Sequence, residues 1–133
     1  MRRTYLDAGV LIEAAAGRGA AAGVAQKLLN DPDRAFLSCP YLDFELLPQA
    51  ILNHKTLQKE FLETYLAATE RIEDLDAIFQ AAFRESSRSP VSGIDALHIA
   101  AAHLLDADEF ITTEKAGKPI YRNRLVPVIC LRA

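Results

Sequence analysis

Gly93-Ile94-Asp95-Ala96-Leu97-His98-Ile99-Ala100-Ala101-Ala102, followed a few residues later by Glu109-Phe110-Ile111-Thr112-Thr113-Glu114, decides the fold. The first run is apolar on nearly every side, which suits a helix inside a core better than one lying on a surface. Ser92 and Gly93 stand at its start, one available for capping and one for turning. Within the second run, Glu109–Thr112 is a short strand whose apolar residues do not alternate cleanly. Such strands are covered on both faces, as in a parallel sheet flanked by helices. An acid, Asp95, opens the helix. Another, Glu114, follows the strand.

The same grammar extends outward in both directions. Thr4–Leu6 reads as a short buried strand that ends at Asp7, and Asp7-Ala8-Gly9 reads as a turn. Val10–Ala16 is a helix stopped by Gly17 and Gly19, and Ala20–Leu29 is a second helix. Asn30-Asp31-Pro32-Asp33 is a loop leading to a strand at Ala35–Ser38. Tyr41–Asn53 has helical spacing, with Pro48 expected to kink it or to start a new segment. Leu57–Ala68 and Leu75–Ser87 are further helices, separated by a short strand within Thr69–Glu73. The helix Ser92–Leu105 follows, and Pro127–Leu131 is the last strand. Strands alternating with helices predict an α/β protein with a mainly parallel sheet and helices on both faces.

Length and composition narrow the class. A chain of 133 residues is expected to form one domain, residues 1–133, with a core that needs no staples. No apolar stretch approaches the roughly 18 residues of a membrane span. The basic start meets an acid at position 7, so no signal peptide is expected and the cytoplasm is the expected compartment. Cys39 and Cys130 lie beside apolar residues, 91 positions apart, and are expected to be reduced thiols. The net charge of −3 argues against a globally basic nucleic-acid binder. A local phosphate track remains open, from Arg2, Arg3 and Arg18 near the first strand and Lys115, Lys118, Arg122 and Arg124 after Glu114.

Four acids form the candidate site: Asp7, Glu45, Asp95 and Glu114. In open parallel sheets, sites form beyond the carboxyl ends of the strands. Asp7 and Glu114 follow proposed strands, Asp95 lies in the first turn of a helix, and Glu45 sits among apolar neighbours. Carboxylates at such places are costly to bury unless paired, hydrogen-bonded or bound to a cation. Clustered oxygens are what a hard divalent ion needs. Each acid also has a plainer reading. Asp7 would cap the next helix, Glu45 would be a solvated helix residue, Asp95 would offset the helix dipole, and Glu114 would be loop surface. His98 shares a helix face with Asp95, and its expected role is packing or a supporting hydrogen bond, ahead of ligand or base. A Ser92-His98-Asp95 triad lacks a nucleophile elbow. No phosphate-binding glycine motif is present.

Taken together, Tyr5-Leu6-Asp7, Asp43-Phe44-Glu45-Leu46, the Asp95 helix and Phe110-Ile111-Thr112-Thr113-Glu114-Lys115 resemble a PIN domain, of the small type typified by VapC toxins. The resemblance covers nearly the whole chain in order. It implies a three-layer α/β/α sandwich and a Mg²⁺- or Mn²⁺-dependent endoribonuclease. It also implies Asp7, Glu45, Asp95 and Glu114 as catalytic and metal-holding acids. RNA as substrate, a small antitoxin protein as partner and a homodimer are implied as well. Two positions depart from the family pattern. Asp7 is followed by Ala8-Gly9 where the family usually has Thr or Ser and then Asn. The last acid is Glu114 where Asp is usual. A hydroxyl to support Asp7 must then come from elsewhere, with Ser38, Thr112 and Thr113 as candidates. The alternative expectation is a catalytically weak PIN-like domain that binds RNA or protein.

Overall fold

Apolar strands that cannot show either face to water end up in the middle of the molecule, and here they pair side by side in parallel. The computed structural model describes residues 1–132. Among them are five strands, β1 (Arg2–Leu6), β2 (Arg34–Ser38), β3 (Glu70–Arg71), β4 (Glu109–Thr112) and β5 (Val128–Cys130). Six α-helices cover them: α1 (Ala8–Ala16), α2 (Gly19–Leu29), α3 (Pro40–Leu52), α4 (Thr56–Ala67), α5 (Leu75–Ser86) and α6 (Gly93–Leu104). The result is the expected α/β/α sandwich, with every strand pairing parallel in the order β3-β2-β1-β4-β5.

β1 is the central strand. Its register with β4 sets Thr4 beside Glu109, Tyr5 beside Phe110 and Leu6 beside Ile111. On its other side, Tyr5 lies beside Leu37 of β2. The chain leaves β1 toward β2 on one side, while β4 flanks it on the other. The crevice between β1 and β4 is therefore the topological switch point where such sheets bind ligands. Tyr5, Leu6, Leu37 and Phe110 are fully buried, as are Ile99 through Ala102 of α6. The alanines of α6 let that helix lie close against its neighbours, and its tightest partner is α5. Each large side chain of this core contributes roughly 1.5–3 kcal/mol by leaving water.

Several sequence expectations need correction. Ala8 and Gly9 are not a turn but the first turn of α1, because Asp7 already caps that helix. Helix α3 runs unbroken through Pro48, so no new segment starts there. Ser92 stands at the N-cap of α6, but its side chain makes no capping hydrogen bond. Gly93 does turn the chain, at φ +58°, a conformation other residues adopt only with strain. Both cysteines are free thiols, Cys39 buried and Cys130 half-buried. Among the described residues, no helix is long and apolar enough to cross a membrane.

The amino end of the sheet is an ion network. The buried Glu109 carboxylate accepts from Arg2 Nε at 2.8 Å and Thr4 Oγ1 at 2.7 Å, with Arg34 Nε at 3.2 Å. Arg3 donates to the Leu105 carbonyl and pairs with Glu70, and its backbone N–H donates to Asp108. Arg2 and Arg3 thus lie at the end of the sheet away from Asp7, and they drop out of the phosphate track. Asp108 is at that same end, as its place before the strand predicts. Arg18 stands beyond the far end of α1, roughly 14 Å along the helix from Asp7.

Candidate active site at the carboxyl edge of the sheet

Asp7 is placed by β1 and fixed by three contacts. Its backbone N–H continues the ladder onto the Ile111 carbonyl at 2.9 Å. Oδ1 accepts from the Ala8 N–H at 2.8 Å, which makes Asp7 the cap of α1. Oδ2 accepts from Thr112 Oγ1, also at 2.8 Å. That contact follows from the register, since the pair after Leu6–Ile111 is Asp7–Thr112. The Thr112 hydroxyl in turn accepts from the Glu114 N–H at 3.1 Å. One hydroxyl therefore links the acid after β1 to the acid after β4.

Of the three candidate donors, Thr112 supplies the hydroxyl. Ser38 instead meets Thr69 and Arg71. Thr113 has a different part: its Oγ1 lies 2.6 Å from where a Cβ at position 9 would stand. Gly9 and Thr113 are thus a matched pair, and any larger residue at position 9 requires Thr113 to move.

Asp95 lies in the first turn of α6 and is exposed. One turn further in, His98 is only 1% exposed. Its Nε2 bonds to Glu45 Oε1 of α3, and its Nδ1 lies 2.7 Å from Tyr5 Oη. Tyr5 Oη is 3.2 Å from Cys39 Sγ. Burial pushes the His98 pKa down, but the neighbouring Cys39 and Glu45 outweigh it and raise it to about 9. A protonated imidazole donates from both nitrogens. The chain then runs one way, with Nε2–H to Glu45, Nδ1–H to Tyr5 and the Tyr5 O–H to Cys39. His98 fills the supporting role expected of it, holding Glu45. Asp43, two residues before Glu45, is engaged elsewhere, in a two-pronged pair with Arg71 at 3.0 and 3.1 Å.

Asp7 and Asp95 feel the acids around them. The Asp95 pKa is raised, first by partial desolvation of its carboxyl and then by the charges of Asp7, Glu114 and Glu45, while His98 opposes the shift. The Asp7 pKa is raised by burial, with Glu45 adding to it, against the Thr112 hydroxyl, His98 and the Ala8 N–H. Crowded like charges of this kind favour a cation. The donor set is all oxygen, which suits a hard divalent ion. Among the described residues, no three acid, His or Cys side chains converge into a ready cage. An ion here would be held by one or two carboxylates with water completing its shell, which is the habit of Mg²⁺. Asp95 and Glu114 lie open to solvent rather than in a closed cavity. A cavity of about 510 Å³ between α2 and α4 contains none of the four acids.

Sequence reasoning missed Tyr5 and Cys39 as members of this site. A signal for Tyr5 was present. A tyrosine hydroxyl inside a wholly apolar strand must find a partner, and Tyr5 shares a strand face with Asp7, two residues on. Cys39 gave no such signal.

Comparison with known proteins adds the family. A family model described as PIN domain matches residues 4–118. Among curated proteins, none matches the chain. Of solved structures, a toxin-antitoxin complex from Klebsiella pneumoniae is similar with a TM-score of 0.68 at 20% identity, covering 96% of this chain and 97% of the other. VapBC2 from Rickettsia felis, bound to a DNA fragment from its promoter, is similar with a TM-score of 0.72 at 12% identity, covering 96% and 98%.

Proposed function

The chain belongs to the PIN domain family, and on that premise we propose that it is a metal-dependent endoribonuclease, the toxin of a toxin–antitoxin pair. The observation that carries this reading is the arrangement of β1, β4, α3 and α6, which carry Asp7, Glu114, Glu45 and Asp95 at the switch point of the sheet. PIN domain nucleases generally use divalent ions, and Mg²⁺ or Mn²⁺ is the ion proposed here. Asp7 and Asp95 would hold it, with Glu45 and Glu114 completing the acidic set. Bound there, the ion would neutralise phosphate charge and help water attack phosphorus.

The protein's own contribution is to keep its carboxylates in place. Thr112 and the Ala8 N–H fix both oxygens of Asp7. His98 pins Glu45 and brings one buried positive charge to an otherwise anionic site. The exposed Asp95 and Glu114 face solvent, where a polymer can reach them without threading a cavity. Residues 1–133 act in this reading as one domain in the cytoplasm, paired with a second copy and silenced by a small antitoxin. The structural neighbours were solved as toxin–antitoxin assemblies, which supports an antitoxin partner.

The test is direct. Asp7→Asn and Asp95→Asn should abolish Mg²⁺- or Mn²⁺-dependent RNA cleavage without loss of fold by circular dichroism, and EDTA should do the same to the unaltered protein. Equal cleavage in the variants and in EDTA would sink the mechanism. A second reading, a PIN-like module that binds RNA or protein and cuts poorly, draws support from the lack of three converging acids among the described residues. No Mn²⁺ binding at millimolar concentration by calorimetry would favour it.

A further inference from the structure

The charge of this chain is divided at one point. Residues 1–114 hold all eighteen acids and ten of the fifteen lysines and arginines, a net charge of −8. Residues 115–133 hold five lysines and arginines and no acid, a net charge of +5. The boundary is Glu114, the last of the four clustered acids. The family match stops at residue 118, so Arg122 and Arg124 lie beyond it.

Four of the five cations of this segment are free among the described residues, Arg132 alone being paired, with Glu13. Before Glu114, Arg2, Arg3, Arg34, Lys59, Arg71 and Arg88 are occupied by carboxylates, while Arg18, Lys27, Lys55 and Arg84 are scattered and unpaired among the described residues. Among the described residues, Lys115, Lys118, Arg122 and Arg124 form no salt bridge, and all four are exposed. The backbone beneath them is nevertheless held. A 3₁₀ turn, Pro119–Arg122, is tied to the site by Tyr121 Oη, which donates to the Glu114 carbonyl at 2.6 Å. Asn123 Oδ1 accepts from the N–H groups of Leu125 and Val126, both at 2.9 Å. Glu85, fully buried, accepts the Arg124 N–H at 2.6 Å. The one acid that meets Arg124 takes its backbone and leaves its guanidinium in solvent.

We propose that Lys115, Lys118, Arg122 and Arg124 form a fixed cationic rail that binds the phosphodiester backbone of a polynucleotide and leads it to the acids at Asp7, Asp95 and Glu114. The proposal rests on the nuclease reading of that site. Four carboxylates repel a polyanion, so an approaching strand needs compensating charge beside them, and this segment supplies it from the adjoining residue onward. A cationic surface not tied to the acids would not need its anchor at Glu114.

The experiment measures binding apart from cleavage. Full-length Asp95→Asn protein is titrated in EDTA with a fluorescent single-stranded RNA, and with DNA of the same sequence, from 50 to 300 mM KCl. Each phosphate contact to a single strand contributes roughly 0.7 to the slope of log K against log salt. Replacing Lys115, Lys118, Arg122 and Arg124 by Gln should therefore flatten the slope by about 3 and raise Kd at least tenfold at the low-salt end. Flattening with either oligomer supports the rail, and the two arms tell whether ribose matters. As a control, Gln at Lys27, near the carboxyl end of α2, should leave the slope nearly unchanged. An unaltered slope in the four-site variant with both oligomers, while its melting temperature stays normal, overturns the rail and directs the segment to an acidic protein partner. Cleavage by the unaltered protein with Mn²⁺ is scored separately. Binding without cleavage would overturn the nuclease reading and leave the rail standing.

Discussion

A single hydroxyl carries much of the candidate site. Thr112 donates to Asp7 and accepts from the Glu114 N–H, so it sets the spacing between two acids on neighbouring strands. Removing such a supporting contact from a metal ligand typically costs on the order of 10–100-fold in affinity. Thr112→Val keeps the shape and loses the hydroxyl. It should weaken Mn²⁺ binding by that factor in calorimetry, and unchanged affinity would remove Thr112 from the site. The Gly9–Thr113 contact makes a second prediction at this scale. Gly→Ala inside a helix ordinarily stabilises by roughly 0.5–1 kcal/mol. Here the new Cβ would meet Thr113 Oγ1 at 2.6 Å. Gly9→Ala should instead destabilise by about 1–3 kcal/mol in urea unfolding. The Gly9→Ala, Thr113→Ala double variant should recover most of that loss, because the two changes share one contact. Additive losses would show that the crowding has another source.

At the scale of elements, helix α5 and the segment after β4 are joined by one buried carboxylate. Burial pushes the Glu85 pKa up, but the Arg124 N–H, the Arg88 side chain and Ser89 together hold it below its ordinary value of 4.5. A depressed carboxylate gives stability that is present above the unfolded-state pKa and lost as pH falls through the folded one. Glu85→Gln should therefore melt below the unaltered protein at pH 7, with the gap narrowing as pH drops below about 4.5. A gap independent of pH would mean that Glu85 acts by shape alone. The elements themselves were legible in sequence. All five strands and six helices fall within a few residues of their expected places, because short apolar runs and helical spacing report burial directly. Ala8-Gly9 misled because a glycine beside an acid has the composition of a turn. Of the two outcomes expected at Pro48, a new segment is the one that fails, since α3 continues through it.

Over the whole molecule, the sheet order decides what the acids can do. The order β3-β2-β1-β4-β5 sets the ends of β1 and β4 side by side, and α3 and α6 bring Glu45 and Asp95 to that same edge. The amino edge has the opposite economy, since Glu109 there is matched by Arg2 and Arg34, and Asp108 by the Arg3 N–H. One edge is neutralised from within, and the other keeps its negative charge with a positive segment beside it. The sequence by itself determined the element types and the α/β class, and it named four candidate acids, since periodicity and the position of an acid beside an apolar run are local properties. Tertiary structure alone decided that Thr112 rather than Ser38 supports Asp7, and that His98, itself bonded to Tyr5, holds Glu45. It also decided that Arg2 and Arg3 lie at the wrong end to meet the acids. These depend on strand register and on which residues far apart in the chain become neighbours, and no local pattern records that.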